Sequence, residues 1–170
     1  MPGLLDSPLI SRIRRNHALE HATIHLLSAR HPRAVFVGRS DVGGFFLLAD
    51  VPGEAVLHAA HEALARLRAG EHRLALHPNC GTNLLTASLL AGTAAYLTLT
   101  GSSSRGWRDR FDRLPLAIVA SLLGLVVAQP LGIFLQRRVT TQGNPLGLEI
   151  LSLRSWSRGA TRLHRVRTYG

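Results

Sequence analysis

The sequence predicts an α+β protein in which a two-helix transmembrane hairpin is inserted into a small mixed sheet. A histidine-bearing N-terminal helix and a second amphipathic helix flank this sheet. Two observations carry the prediction. Charged side chains are absent from two apolar segments, residues 84–100 and 114–136, and are frequent elsewhere in the 170-residue chain. On either side of these segments, helical periodicity alternates with short runs rich in Val, Phe and Leu, as in α+β domains.

Residues 1–82 are predicted to form an N-terminal α+β half-domain. Its first helix extends to about Arg30, just before a His-Pro pair, and carries three of the nine histidines. The runs RAVFVGRSD and GGFFLLADV, separated by a glycine-containing turn, predict a β-hairpin. Apolar residues then recur every three or four positions from Glu54 to Arg68, which indicates an amphipathic helix. The run HRLALHP predicts a third short strand.

Residues 83–136 are predicted to be a transmembrane hairpin, with spans at about 84–100 and 114–136 and a loop at 101–113. A helix needs about 20 apolar residues to cross a hydrocarbon core of ~30 Å. Residues 137–170 are rich in arginine and contain two runs of β character that complete the sheet. The alternative is a buried helical hairpin of a soluble protein, but two such runs exceed what one small core covers.

The charge of the chain points to a lipid surface. All 20 basic residues are arginines, and the formal net charge is +10. In a chain with membrane spans, this charge favours the lipid bilayer, and anionic lipids in particular, as the partner. No nucleic acid is expected, because aromatic residues make up only 5% of the chain and are too few for a base-stacking platform. Small residues four apart in both spans permit a homo-oligomer.

The expected location is the inner (plasma) membrane, as a multi-pass protein. The N-terminal segment lacks the apolar core and cleavage site of a signal peptide. Arginines are more numerous beside the outer ends of the two spans than in the loop between them, which favours both termini in the cytoplasm.

The segment RRNHALEHATIH carries the first candidate site. His17, Glu20 and His21 form the pattern H-x-x-E-H, and His25 follows one turn later. Residues four apart lie on one stripe of a helix, so the three imidazoles share a face. Two such imidazoles chelate Zn²⁺, and a carboxylate between them in sequence acts as a general base, which makes Glu20 the candidate catalytic residue.

The segment HPNCGTN carries the second candidate site, since His77 and Cys80 are three residues apart. If the histidine helix packs over this turn, His17, His21, His77 and Cys80 make a four-ligand site of nitrogen and sulfur. A closed set of four ligands is structural or regulatory, and an open position is catalytic. The weaker ligand candidates are His25, Glu54, His58 and Glu62.

Each of these candidate ligands could also have an ordinary packing or surface role. Helical histidines pack or face solvent more often than they bind metal, although Ile10, Ile13 and Ile24 on the same face indicate partial burial. A lone cysteine before an apolar segment is usually a small buried residue. The helix face with His58 and Glu62 is predicted to be a solvated surface.

Two resemblances follow from these motifs. H-x-x-E-H resembles the inverzincin signature of metallopeptidases, which implies His17 and His21 as ligands and Glu20 as general base. That signature also requires a downstream glutamate ligand, for which Glu54 and Glu62 are the candidates by position. Across residues 10–136, NHALEHATIHLL, GRSDVGGFFLLADV and LALHPNCGTNLL together resemble an uncharacterised family of bacterial integral membrane proteins. This resemblance implies a membrane location with two spans, and no specific activity.

The sequence predicts a membrane-anchored metal-binding protein, and zinc is the expected metal. If the protein is an enzyme, we expect a zinc-dependent hydrolase. The alternative is a non-catalytic membrane scaffold or assembly factor that binds anionic lipid or a partner complex through its arginines. Nucleotide binding is disfavoured because Gly43 and Gly44 lie in a hairpin turn rather than at a strand-to-helix junction.

Overall fold

The computed structural model describes residue 5 and residues 7–101, 106–159 and 161–170. Parts of three predicted regions lie outside the described residues. They are residues 1–4 and 6 of the half-domain, 102–105 of the loop and 160 of the C-terminal segment. The chain divides into two compact units: Met1–His77 together with Arg137–Gly170, and Pro78–Gln136.

Within the described residues, the larger unit contains two α-helices, a 3₁₀ turn and four strands. In chain order these are α1 (Pro8–Arg30), β1 (Val37–Asp41), β2 (Gly44–Leu48), α2 (Gly53–Arg68), the 3₁₀ turn (His72–Ala75), β3 (Glu149–Arg158) and β4 (Thr161–Tyr169). Helix α1 begins at a proline, whose fixed φ suits a first helical turn. The β1–β2 turn requires a glycine at its exit, because Gly44 has φ +132° and a Cβ there would overlap the carbonyl oxygen of Val166.

The four strands form one antiparallel sheet in the order β1-β2-β4-β3. The α+β class is therefore confirmed, but the predicted mixed sheet is wrong. The run HRLALHP does not join the sheet, since it forms the 3₁₀ turn. Its carbonyl groups at Ala75 and Leu76 bind the rings of His21 and His25 instead of a neighbouring strand.

The core lies between α1, α2 and one face of the sheet. Phe45 and Leu47 on β2 are fully buried, whereas Phe46 and Leu48, which alternate with them, are partly exposed. The core side chains from other elements include Leu19, Leu27, Val56, Leu67, Leu148 and Val166. Burying one large apolar side chain contributes about 1.5–3 kcal/mol, so this cluster is what holds the helices to the sheet.

The smaller unit is helical. It consists of α3 (Gly81–Thr100), α4 (Trp107–Asp112) and α5 (Leu114–Leu135), and α5 continues into a π-helical turn at Gln136–Thr140. Helices α3 and α5 approach closely, since the Ser121 hydroxyl donates to the Ala91 carbonyl at 3.2 Å. A Cβ added at Gly124 would lie 3.1 Å from the backbone of Leu90. Small residues allow this approach.

The predicted two-helix transmembrane hairpin is wrong. Within the described residues, one helix is long and apolar enough to cross a membrane, and it spans Leu114–Thr140. The first predicted span, 84–100, is a helix without charges, but its threonines, Ser88 and Gly92 make it too polar to qualify. Absence of charge is therefore not the same property as apolarity.

Candidate metal centre

Helix α1 places three histidines on one face at four-residue spacing. His21 is 2% exposed, and His17 and His25 are partly buried. This face lies against the chain that leaves the 3₁₀ turn, which ends at His77 in the larger unit. A run of residues that follows α2 therefore brings a fourth imidazole to the histidine stripe.

The four imidazole rings form one continuous cluster. The ring centroids are 4.3 Å apart for His17 and His21, 5.7 Å for His21 and His77, and 4.8 Å for His25 and His77. Two imidazoles bound to one tetrahedral metal, with metal–nitrogen bonds of about 2.0–2.1 Å, have centroids roughly 5 Å apart. The observed separations lie on both sides of this value, so small ring movements suffice for shared coordination.

Backbone carbonyl groups hold three of the rings and determine which ring nitrogen carries a proton. Nδ1 of His17 donates to the Thr140 carbonyl at 2.9 Å, and Nδ1 of His21 donates to the Ala75 carbonyl at 2.7 Å. Nε2 of His25 donates to the Leu76 carbonyl at 2.7 Å. A carbonyl only accepts, so the bonded nitrogen carries the proton. In a neutral ring the other nitrogen then carries a lone pair, as in metal-binding histidines.

The environment of His77 keeps its ring neutral. Burial, followed by the nearby His25 and His21, lowers the pKa of His77 from 6.5 to about 4. At neutral pH this ring therefore carries no charge. A neutral imidazole is the form that binds a metal ion, because a protonated ring has no lone pair to donate.

Glu20 lies beside the cluster and against strand β1. It is 4% exposed, and its carboxylate accepts a hydrogen bond from the Ser40 hydroxyl. A Cβ at Gly38 would overlap this carboxylate, so glycine makes room for it. Burial raises the pKa of Glu20, and the Ser40 hydrogen bond and the charge of His17 only partly oppose this increase. The carboxyl group is therefore a stronger base than an exposed glutamate.

The remaining candidate ligands lie on other elements. Cys80 is buried and precedes α3, where its sulfur accepts from the Thr82 N–H at 3.5 Å. Glu54 is exposed in the first turn of α2. His58 and Glu62 face Arg30 on the surface between α1 and α2, and Glu62 forms an ion pair with it. These three α2 residues are thus occupied by solvent or by arginine.

The partners of the histidine rings were not apparent from the sequence. Spacing alone indicated the stripe of His17, His21 and His25. The carbonyl groups that orient the rings belong to Ala75, Leu76 and Thr140, and a backbone carbonyl leaves no trace in residue type. Ser40 also gave no signal, since a serine in a strand is common.

The chain belongs to the family described as a domain of unknown function, DUF6391, whose model matches residues 12–153. It is similar to an uncharacterised protein of Picosynechococcus sp., with 34% identity over 164 residues covering 88% of this chain and 74% of the relative. These matches confirm the expected membership of an uncharacterised family. No solved structure matches the chain.

Proposed function

We propose that the histidine cluster binds one divalent transition metal ion, with zinc as the expected metal. The observation that supports this is the set of carbonyl-bound rings. Three imidazoles have one nitrogen held by a backbone carbonyl, and the fourth has a strongly lowered pKa. Neutral rings with fixed tautomers are what a metal site requires of histidine.

The proposed ligands are His17, His21 and His77. Three imidazole nitrogens suit tetrahedral zinc with one open position. His25 has the role of a positioning residue, because its ring packs against His77 while its own Nε2 donates to Leu76.

We further propose that the helix Leu114–Thr140, which is long and apolar enough to enter a bilayer, attaches the protein to the plasma membrane. Strands from both sides of the smaller unit share one sheet, so residues 1–77 and 137–170 lie on the same side of that membrane. The arginine content of these two segments favours the cytoplasmic side.

Metal analysis of the full-length protein tests the site. We expect about one equivalent of zinc in untagged, detergent-purified protein and its loss in His17→Ala/His21→Ala. The matched control is His58→Ala/His61→Ala, which removes two exposed histidines from α2 and keeps the metal. Equal metal content in both double variants, or none in the wild type after supplementation with zinc, would reject the proposal.

A second candidate function is metal-dependent hydrolysis with Glu20 as the general base. The observation that favours it is the burial that raises the pKa of Glu20 next to His17. Cobalt-substituted protein provides a test without a known substrate. If Glu20 serves the metal centre, Glu20→Gln keeps the cobalt but shifts the pH at which the cobalt absorption bands change. An unchanged pH profile would assign Glu20 to structure alone.

A further inference from the structure

One face of the sheet is not covered by either helix of the larger unit. Strand register aligns an apolar row across all four strands, from Val37 through Leu48 and Leu163 to Trp156. These side chains are 58%, 40%, 37% and 49% exposed, respectively. An exposed apolar row that crosses a whole sheet is typical of an interaction site.

A row of arginines lies next to the apolar row. Arg39, Phe46, Arg165 and Arg154 align across the same four strands, and Arg167 follows one step further along β4. These four arginines and the apolar row together form what we call the outer sheet face. Three acidic residues lie near its margins: Asp41, which pairs with Arg165 at 2.7 Å, Glu149, and Asp50, which pairs with Arg162 at 3.8 Å beside Val37 and Leu48.

The geometry points to an anionic phospholipid bilayer as the ligand of the outer sheet face. Arg39, Arg154 and Arg167 are exposed and form no ion pair within the described part of the chain, so they complement phosphate groups. Trp156 and the aliphatic row have the composition of side chains that settle at the level of the headgroups. This inference is independent of the metal site.

Other polyanions and self-association fit the face less well. Stacking of nucleic acid bases needs uncovered aromatic rings, but the Arg165 guanidinium lies over the Phe46 ring at 4.2 Å. Trp156 lies on the edge strand β3. Of the two aromatic residues in these rows, Phe46 is covered by an arginine and Trp156 is not. A symmetric dimer through this face would bring arginines of two copies together, which is unfavourable.

Fluorescence of Trp156 in the full-length protein tests the proposal. The chain has two tryptophans, so Trp107→Phe leaves Trp156 as the reporter. The protein is reconstituted into vesicles of phosphatidylcholine alone or of equal parts phosphatidylcholine and phosphatidylglycerol, with brominated acyl chains as quencher. We expect Trp156 to be quenched in the anionic vesicles, and the quenching to weaken at high salt.

Arginine variants show whether charge drives the docking. Each arginine near an anionic surface contributes about fivefold, so Arg154→Gln/Arg167→Gln should lower the docked-to-undocked ratio about 25-fold. Arg66→Gln/Arg73→Gln, with the same loss of charge at exposed positions of α2 and the 3₁₀ turn, should leave it unchanged. Circular dichroism verifies that each variant is folded.

Three results would overturn the inference. The first is Trp156 quenching that is absent or equal in the two lipid mixtures. The second is a Trp156 signal that responds to single-stranded RNA but not to anionic lipid. The third is burial of Trp156 that follows protein concentration rather than lipid composition, which would identify a second copy of the chain as the occupant.

Discussion

At the scale of single residues, the main consequence of the structure is that one ring nitrogen of each α1 histidine is fixed. His21 is nearly inaccessible, and each of His17, His21 and His25 donates one ring N–H to a carbonyl group. A neutral ring held in this way keeps its lone pair on the other nitrogen.

His77 should make the metal-free protein sensitive to acid. Its pKa is about 4 in the folded state and 6.5 in an exposed ring, so between these values the unfolded chain binds more protons. Stability is therefore lost as the pH falls below 6.5. Because His77 is only half-buried, we expect a loss of about 1 kcal/mol between pH 7 and pH 5.

Thermal unfolding in the presence of a chelator measures this effect. The wild type should unfold at a lower temperature at pH 5 than at pH 7. His77→Asn should show a smaller difference between the two pH values, because its side chain does not titrate. If His77→Asn retained the full pH dependence, the loss of stability would have to come from other groups.

At the scale of helices and strands, the larger unit is a two-layer arrangement with one covered face of the sheet. Phe45 and Phe46 are neighbours on β2 but point to opposite faces, since Phe45 is fully buried and Phe46 is partly exposed. The covered face holds the core, and the outer sheet face carries the arginines. The two faces therefore have different roles.

Substitutions at these two neighbours measure the difference. Phe45→Ala leaves a cavity between the sheet and the helices and should cost about 3–5 kcal/mol of unfolding free energy. Phe46→Ala removes a ring from the outer sheet face and should cost about 1 kcal/mol, including its contact with Arg165. Chemical denaturation of the two variants in the same detergent provides the comparison. Equal losses would contradict a one-sided core.

The elements that the sequence predicted well are those with a strong local pattern. Periodic apolar residues identified α2, and the glycine turn identified the β1–β2 hairpin, because both patterns express burial of one face. The prediction of a strand at HRLALHP was wrong, because a short apolar run does not reveal whether a strand lies beside it. The metal candidates on α1 were close in space because helical spacing alone determines their separation, whereas the ring partners depend on tertiary contacts.

At the scale of the whole molecule, the chain combines a basic α+β unit with a helix that is apolar enough to cross a membrane. The prediction of two spans counted the length of each uncharged segment. It overestimated the number of membrane-crossing helices, since threonine and serine are uncharged but still polar. A hydropathy argument depends on the composition of each segment as well as on its length.

Membrane attachment should depend on the middle of this helix. Val127 is exposed near the centre of Leu114–Thr140, and an arginine at such a position costs about 2.5–3.5 kcal/mol of insertion free energy. We expect Val127→Arg to increase the fraction of protein that alkaline carbonate releases from membranes. Val35→Arg, at an even more exposed valine of the larger unit, is the control and should remain attached like the wild type.

The central claim is that the histidine cluster is a metal site, and zinc-edge X-ray absorption of the purified full-length protein tests it most directly. The proposal predicts three imidazole nitrogens at about 2.0–2.1 Å from the zinc. Loss of the imidazole signal in His17→Ala/His21→Ala would link that spectrum to α1. A shell of oxygen atoms without imidazole, or a spectrum unchanged by the double substitution, would contradict the account.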